Sequence, residues 1–135
     1  MSTESAPDSL LDRVVYDDVR IGETLPAIAF VVTRADVEDY RASVGGADRG
    51  HTIPAMHLLA LTLAAITERM PLPATCVHVG QELSWSCAVQ ADARIDVRFE
   101  LMSRRTAGGA TLSAFALHLD TAGHEVARGR ILLQS

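Results

Sequence analysis

The segment from Ile53 to Met70 is apolar in nearly every direction around a helical axis, because Leu58, Leu59, Leu61, Leu63 and Ile66 leave no side without a large aliphatic group. A helix apolar all round is expected to be buried all round. The remaining sequence must therefore wrap it. Pro54 stands in its first turn, where a missing N–H costs nothing, and Pro71 and Pro73 stop it. The run is too short for a membrane span and carries His57 and Thr62.

The wrapping is legible as strands. Ala27 to Val32 is an apolar run rich in β-branched residues, the signal of a buried strand. From Thr75 to Val89 the pattern alternates, with Val77, Val79, Leu83 and Trp85 opposite His78, Glu82, Ser84 and Ser86. Arg94 to Leu101 places Ile95, Val97, Phe99 and Leu101 opposite Arg94, Asp96, Arg98 and Glu100. Thr106 to Ala110 holds Gly108 and Gly109 and makes a turn, and Thr111 to Leu119 and Glu125 to Leu133 form two more strands around a tight connection. Ahead of these, Val14 to Val19 is a short edge strand or lead-in and Ile21 to Glu23 a turn. Thr33 caps a short helix with Asp36 completing a capping-box pair, and that helix ends before Gly45 and Gly46. Val37 and Tyr40 share its docking side. The expected architecture is α+β, a long antiparallel sheet curled around one apolar helix.

At 135 residues, 48% hydrophobic and 21% charged, the chain suits one globular domain. A formal net charge of −5, with no basic cluster, excludes a nucleic-acid footprint. Residues 1–12 carry neither a positive start nor an apolar run; they are expected to be a disordered tail rather than a signal peptide, with the domain over residues 13–135 and a cytoplasmic location. Cys76 and Cys87, expected on opposite faces of one strand, do not suit a mutual disulfide, and no metal-ligand spacing is present.

Several segments resemble MaoC-like dehydratases and (R)-specific enoyl-thioester hydratases. They are Tyr16 to Leu25 (YDDVRIGETL), Val32 to Tyr40 (VTRADVEDY), Ile53 to Ala60 (IPAMHLLA) and Val77 to Leu83 (VHVGQEL). The resemblance implies a single hot-dog fold, dimerisation, and reversible addition of water across a 2-enoyl thioester carried by coenzyme A or acyl-carrier protein, with no cofactor. The family site runs Tyr, small residues, then Gly-Asp-x-Asn-Pro-x-His. Laid on Tyr40 without gaps, it falls on Gly45, Gly46, Asp48, Arg49 and His51, so the His is kept and the Asp is replaced by Gly46. The connection from that His to the central helix is also shortened to Thr52. His51 is either the motif His drawn up to the helix or a residue from the far end of a contracted loop.

The candidate catalytic residues are His51, Asp48 as a stand-in acid, and His57 on the helix face of Leu61 and Ala64. The resemblance assigns polarisation of the thioester carbonyl to backbone N–H groups at the helix start, here Ala55 and Met56. Arg49 is the candidate for a phosphate of the carrier. Two functional readings follow, a lyase with an altered site and a catalytically silent subunit partnering an active MaoC-like homologue. A hot-dog thioesterase using Asp48 is a weaker third. Membrane and nucleic-acid partners are not expected.

Overall fold

The computed structural model describes residues 13–25, 28–45 and 50–135. The tail expected over residues 1–12 lies outside them, as do Gly46, Asp48 and Arg49. The elements are β1 (Ile28–Val31), α1 (Arg34–Val44), α2 (Ala55–Arg69), β2 (Val77–Trp85), β3 (Arg94–Ala107), β4 (Ala110–Thr121) and β5 (His124–Gln134). The strands form one sheet in the order β1-β3-β4-β5-β2, antiparallel throughout.

The β3–β4–β5 meander is built by two-residue turns. Gly108 and Gly109 sit at φ 59° and 82°, and Ala122 and Gly123 at 52° and 80°. Positive φ at both central residues matches the right-handed twist of the flanking strands. Alternation then sends Val97, Phe99, Phe115, Leu117, Leu119 and Ile131 inward, all at most 4% exposed. Phe99 and Phe115 stack with centroids 4.6 Å apart. Leu58, Ile66 and Met70 from the helix side join the same buried cluster, and Thr62, fully buried, gives its hydroxyl proton to the Leu58 carbonyl.

The segment before β1 is tied down by polar contacts. It contains a 3-10 turn at Tyr16–Asp18 in place of the strand that the Val14 to Val19 pattern suggested. Arg104 donates to the carbonyls of Tyr16 and Val19 and to the Ser113 hydroxyl, which also accepts from the Tyr16 hydroxyl. These bonds satisfy the buried Ser113 in the sheet.

The helix start at Thr33 is as the sequence indicates. Its hydroxyl accepts from the Asp36 N–H, the Asp36 carboxylate accepts from the Thr33 N–H, and Gly45 closes the helix in the left-handed region. Three expectations need correction. The central helix is covered on one side only, because Met56, Ala60, Ala64, Thr67 and Glu68 are exposed. A five-stranded sheet reaches one flank of a helix, and the apolar residues on the other flank line a groove. β1 is the sheet edge, not a fully buried strand, and Val31 is 51% exposed. β2 ends at Trp85, with a bulge between His78 and Gly80 that breaks the alternation and leaves both Val77 and Val79 exposed. Cys76 and Cys87 are free and lie outside β2. No described helix is long and apolar enough to cross a membrane.

Candidate functional site

The connection from α1 to α2 is stitched at its described end. Arg41 from α1 donates to the carbonyls of Gly50 and Thr52 at 2.6 and 2.7 Å. On the other side the His51 carbonyl accepts from the Ala91 N–H at 2.6 Å, and the Ile53 N–H reaches the Val89 carbonyl at 2.8 Å. These bonds fix the main chain of His51 and leave its ring in solvent, with no side-chain hydrogen bond among the described residues. No described carboxylate meets it. The expected dyad partner Asp48 and the phosphate candidate Arg49 lie outside the described residues.

The α2 N-terminus is open. Pro54 is its N-cap and gives no side-chain cap, and the first intrahelical bond runs from the Leu58 N–H to the Pro54 carbonyl. The amides of Ala55 and Met56 therefore precede the hydrogen-bonded ladder and present positive partial charge. Beside them is a cavity of about 340 Å³, lined by Ala55, Leu58, Trp85, Ser86, Cys87 and Val89.

His57, one residue on, faces the other flank. It is 9% exposed and its ring lies flat on Tyr40 of α1, with centroids 4.2 Å apart and 3° between planes. Burial holds its pKa below the ordinary histidine value, and the nearby Asp36 carboxylate works weakly against that. The neutral form is thus favoured near pH 7, and Nδ1 has no hydrogen-bond partner among the described residues. Asp36 is held below the usual carboxylate range by the Thr33 hydroxyl, then by the Thr33 N–H. His57 forms part of the wall of a groove of about 610 Å³ between α1, α2 and β1, with Phe30, Tyr40, Leu61 and Ala65 as its apolar lining and Asp36, Asp39 and Glu68 as its polar one.

Of the candidate residues, His57, Ala55 and Met56 come together at the first turn of α2, while His51 is set apart in solvent. Sequence reasoning placed His57 on the face of Leu61 and Ala64, as found. It missed the Tyr40 stack and the three carboxylates. A signal existed, since Asp36 and Tyr40 are one helical turn apart, as are Leu61 and Ala65. Only the docking of the two helices could pair those faces. Among the described residues no group of His, Cys, Asp and Glu is arranged to hold a metal ion.

No protein-family model matches the sequence, and comparison with curated proteins gives no significant match. Solved structures do match. The R-hydratase PhaJ1 from Pseudomonas aeruginosa superposes with a TM-score of 0.73 at 19% identity, over 90% of this chain and 84% of that one. A MaoC-like dehydratase from Rhodospirillum rubrum gives 0.67 at 17% identity, over 90% and 95%. The HadBC (3R-hydroxyacyl-ACP dehydratase) complex from Mycobacterium tuberculosis gives 0.64 at 14% identity, over 82% and 95%. The hot-dog fold inferred from the sequence is therefore the fold of this chain, and its structural neighbours are MaoC-like dehydratases and (R)-hydratases.

Proposed function

We propose that this protein acts on an acyl thioester as a hydratase or dehydratase of altered site, with His57 as the proton-transferring base. The observation that carries this is His57 itself. It is buried, biased to the neutral form and held flat by Tyr40, it forms part of the wall of the 610 Å³ groove, and its Nδ1 has no partner among the described residues. A base poised near neutral pH is what water addition needs. In the hydration direction His57 takes a proton from water as its oxygen bonds to the β-carbon of a 2-enoyl thioester. The electron pair moves to the thioester oxygen, in the positive potential of the α2 N-terminus. The proton then returns from the imidazolium to the α-carbon. Dehydration is the reverse.

The test is loss of enoyl-thioester absorbance with purified protein across short and long chains. His57→Gln should lower turnover by about 100-fold or more, the usual scale for a general base. His51→Ala should stay within a few-fold of the parent. Undiminished turnover in the His57 variant would remove the assignment.

A second reading, a silent subunit beside an active homologue, is favoured by the solvent-exposed His51 with no described carboxylate on it. In either case we propose that a second hot-dog chain adds at β2. That strand ends the sheet, and Val77 and Val79 on it are 57% and 48% exposed. Native mass spectrometry of the protein alone and mixed with a homologue bearing the complete motif separates homodimer from heterodimer. A monomer in both samples would exclude the pairing.

A further inference from the structure

We propose that the groove over α2 takes an amine-bearing ligand, an apolar chain ending in a protonated amine. The inference rests on the same groove as the proposed reaction and, if that reaction holds, names the class of acyl chain. The charge pattern is one-sided. Asp36, Asp39 and Glu68 contribute to the groove, and no described Arg does. Neither Asp39 nor Glu68 makes an ion pair or hydrogen bond among the described residues, whereas one Asp36 oxygen is occupied by the Thr33 N–H. All three carboxylates are exposed, while Leu61 and Ala65 are half-buried and His57 is buried. The groove thus has an apolar floor and an anionic rim.

The rim alone would be an ordinary solvated surface. What distinguishes it is His57, an almost fully buried polar side chain in the groove wall with a nitrogen that no described residue satisfies. Buried polar groups are normally hydrogen-bonded. A neutral imidazole adds no positive charge to oppose a cation. A carboxylate-ended chain would meet repulsion from three anions. An ammonium at the rim, with its alkyl body on Phe30, Tyr40 and Leu61, meets none.

The test is titration of the full chain with hexylamine, 1-hexanol and hexanoate at neutral pH and low salt, followed through the NMR signals of His57, with His51 as an internal reference. Hexylammonium should bind on the order of 3- to 10-fold more tightly than hexanol, the range expected from exposed charge pairs. Hexanoate should bind more weakly than both. The amine preference should shrink at high salt and vanish in the double variant Asp39→Asn, Glu68→Gln, with hexanol affinity unchanged as evidence that the groove is intact. Equal affinity for amine and alcohol, a preference that survives the double variant, or shifts at His51 and not at His57 would overturn the proposal. Since binding is read without turnover, amine preference in a protein with no hydratase activity would sink the reaction and keep the site. Hydration of simple enoyl chains with no amine preference would do the opposite.

Discussion

The two flanks of α2 are built to different standards. Toward the sheet, Leu58, Thr62 and Ile66 are at most 3% exposed, and Leu58 and Ile66 share one cluster with Phe99, Phe115 and Leu117. Toward α1 and β1, Leu61 and Ala65 are only half-buried and border a groove of about 610 Å³. The closed flank is apolar apart from Thr62, whose hydroxyl is satisfied within the helix. The open flank concentrates a histidine and three carboxylates where folding does not need them. Polar residues kept beside unfilled space fit a ligand better than a core, and that is what the comparison teaches.

Paired truncations test it most severely. Leu58→Ala should cost about 3–5 kcal/mol by urea unfolding, the usual range for a leucine removed from a closed core. Leu61→Ala, one turn away on the open flank, should cost about 1 kcal/mol, since its neighbourhood is already partly empty. Equal losses would mean that the groove is packed in solution, and the contrast would be gone.

Gly129→Ala probes how tightly the closed side is drawn. A Cβ there would run into the Glu82 carbonyl and sit 2.8 Å from the Leu83 Cα, both backbone atoms of β2. We expect a loss of about 1–3 kcal/mol from the forced shift, measured by chemical denaturation. A neutral result would show that β2 pulls away from β5 easily.

His57 sharpens the comparison through pH. Its folded pKa lies below the value of 6.5 expected when unfolded, so the unfolded chain takes up the proton first. The associated stability is fully present above pH 6.5 and is lost as pH falls through the folded pKa. Among the described residues Asp36, Asp39 and Glu68 from the two helices, with Tyr40, are the other titratable groups of the groove, and the Asp36 carboxylate moderates the loss. His57→Leu should flatten the decline in melting temperature on acidification below pH 6.5. A slope unchanged in the variant would assign it elsewhere, and Glu125 could account only for a fall at still lower pH. That carboxylate is held low mainly by the His118 hydrogen bond, so its own contribution is lost only in acid, as pH falls below 4.5 and through the lowered value. The smallest effect belongs to Glu68→Gln, which should move stability by less than about 0.5 kcal/mol. A larger loss would make the rim carboxylate part of the fold.

Much of the fold was readable because its signals are local. The capping box at Thr33 and Asp36, the alternation from Arg94 to Leu101, and the glycine turn at Gly108 each depend on neighbours in sequence. The errors arose where the signal depends on what lies across the gap. Apolar residues such as Leu61 and Ala64 have the same composition whether a sheet or a groove faces them, so all-round burial of α2 could not be told from one-sided burial. A bulge between His78 and Gly80 leaves no mark in hydrophobicity, so the exposure of Val77 and Val79 could not be read from the pattern. The same holds for the site. His57 and its helix face were visible, but its stack on Tyr40 depends on the angle at which two helices dock. His51 looked like the stronger candidate, and its exposure could not be read from its neighbours in sequence.

The order of elements along the chain has a consequence for synthesis. The helix that carries Leu58 and Ile66 is made before every strand of the β3–β4–β5 meander that covers it. At ribosomal speeds of roughly 5–20 residues per second, its apolar flank waits on the order of several seconds for its cover. Once emerged, the meander zips through two tight turns, so its own pairing is quick. The vulnerable interval of this protein is therefore translational, and holdase chaperones that recognise aliphatic helices would meet α2 then.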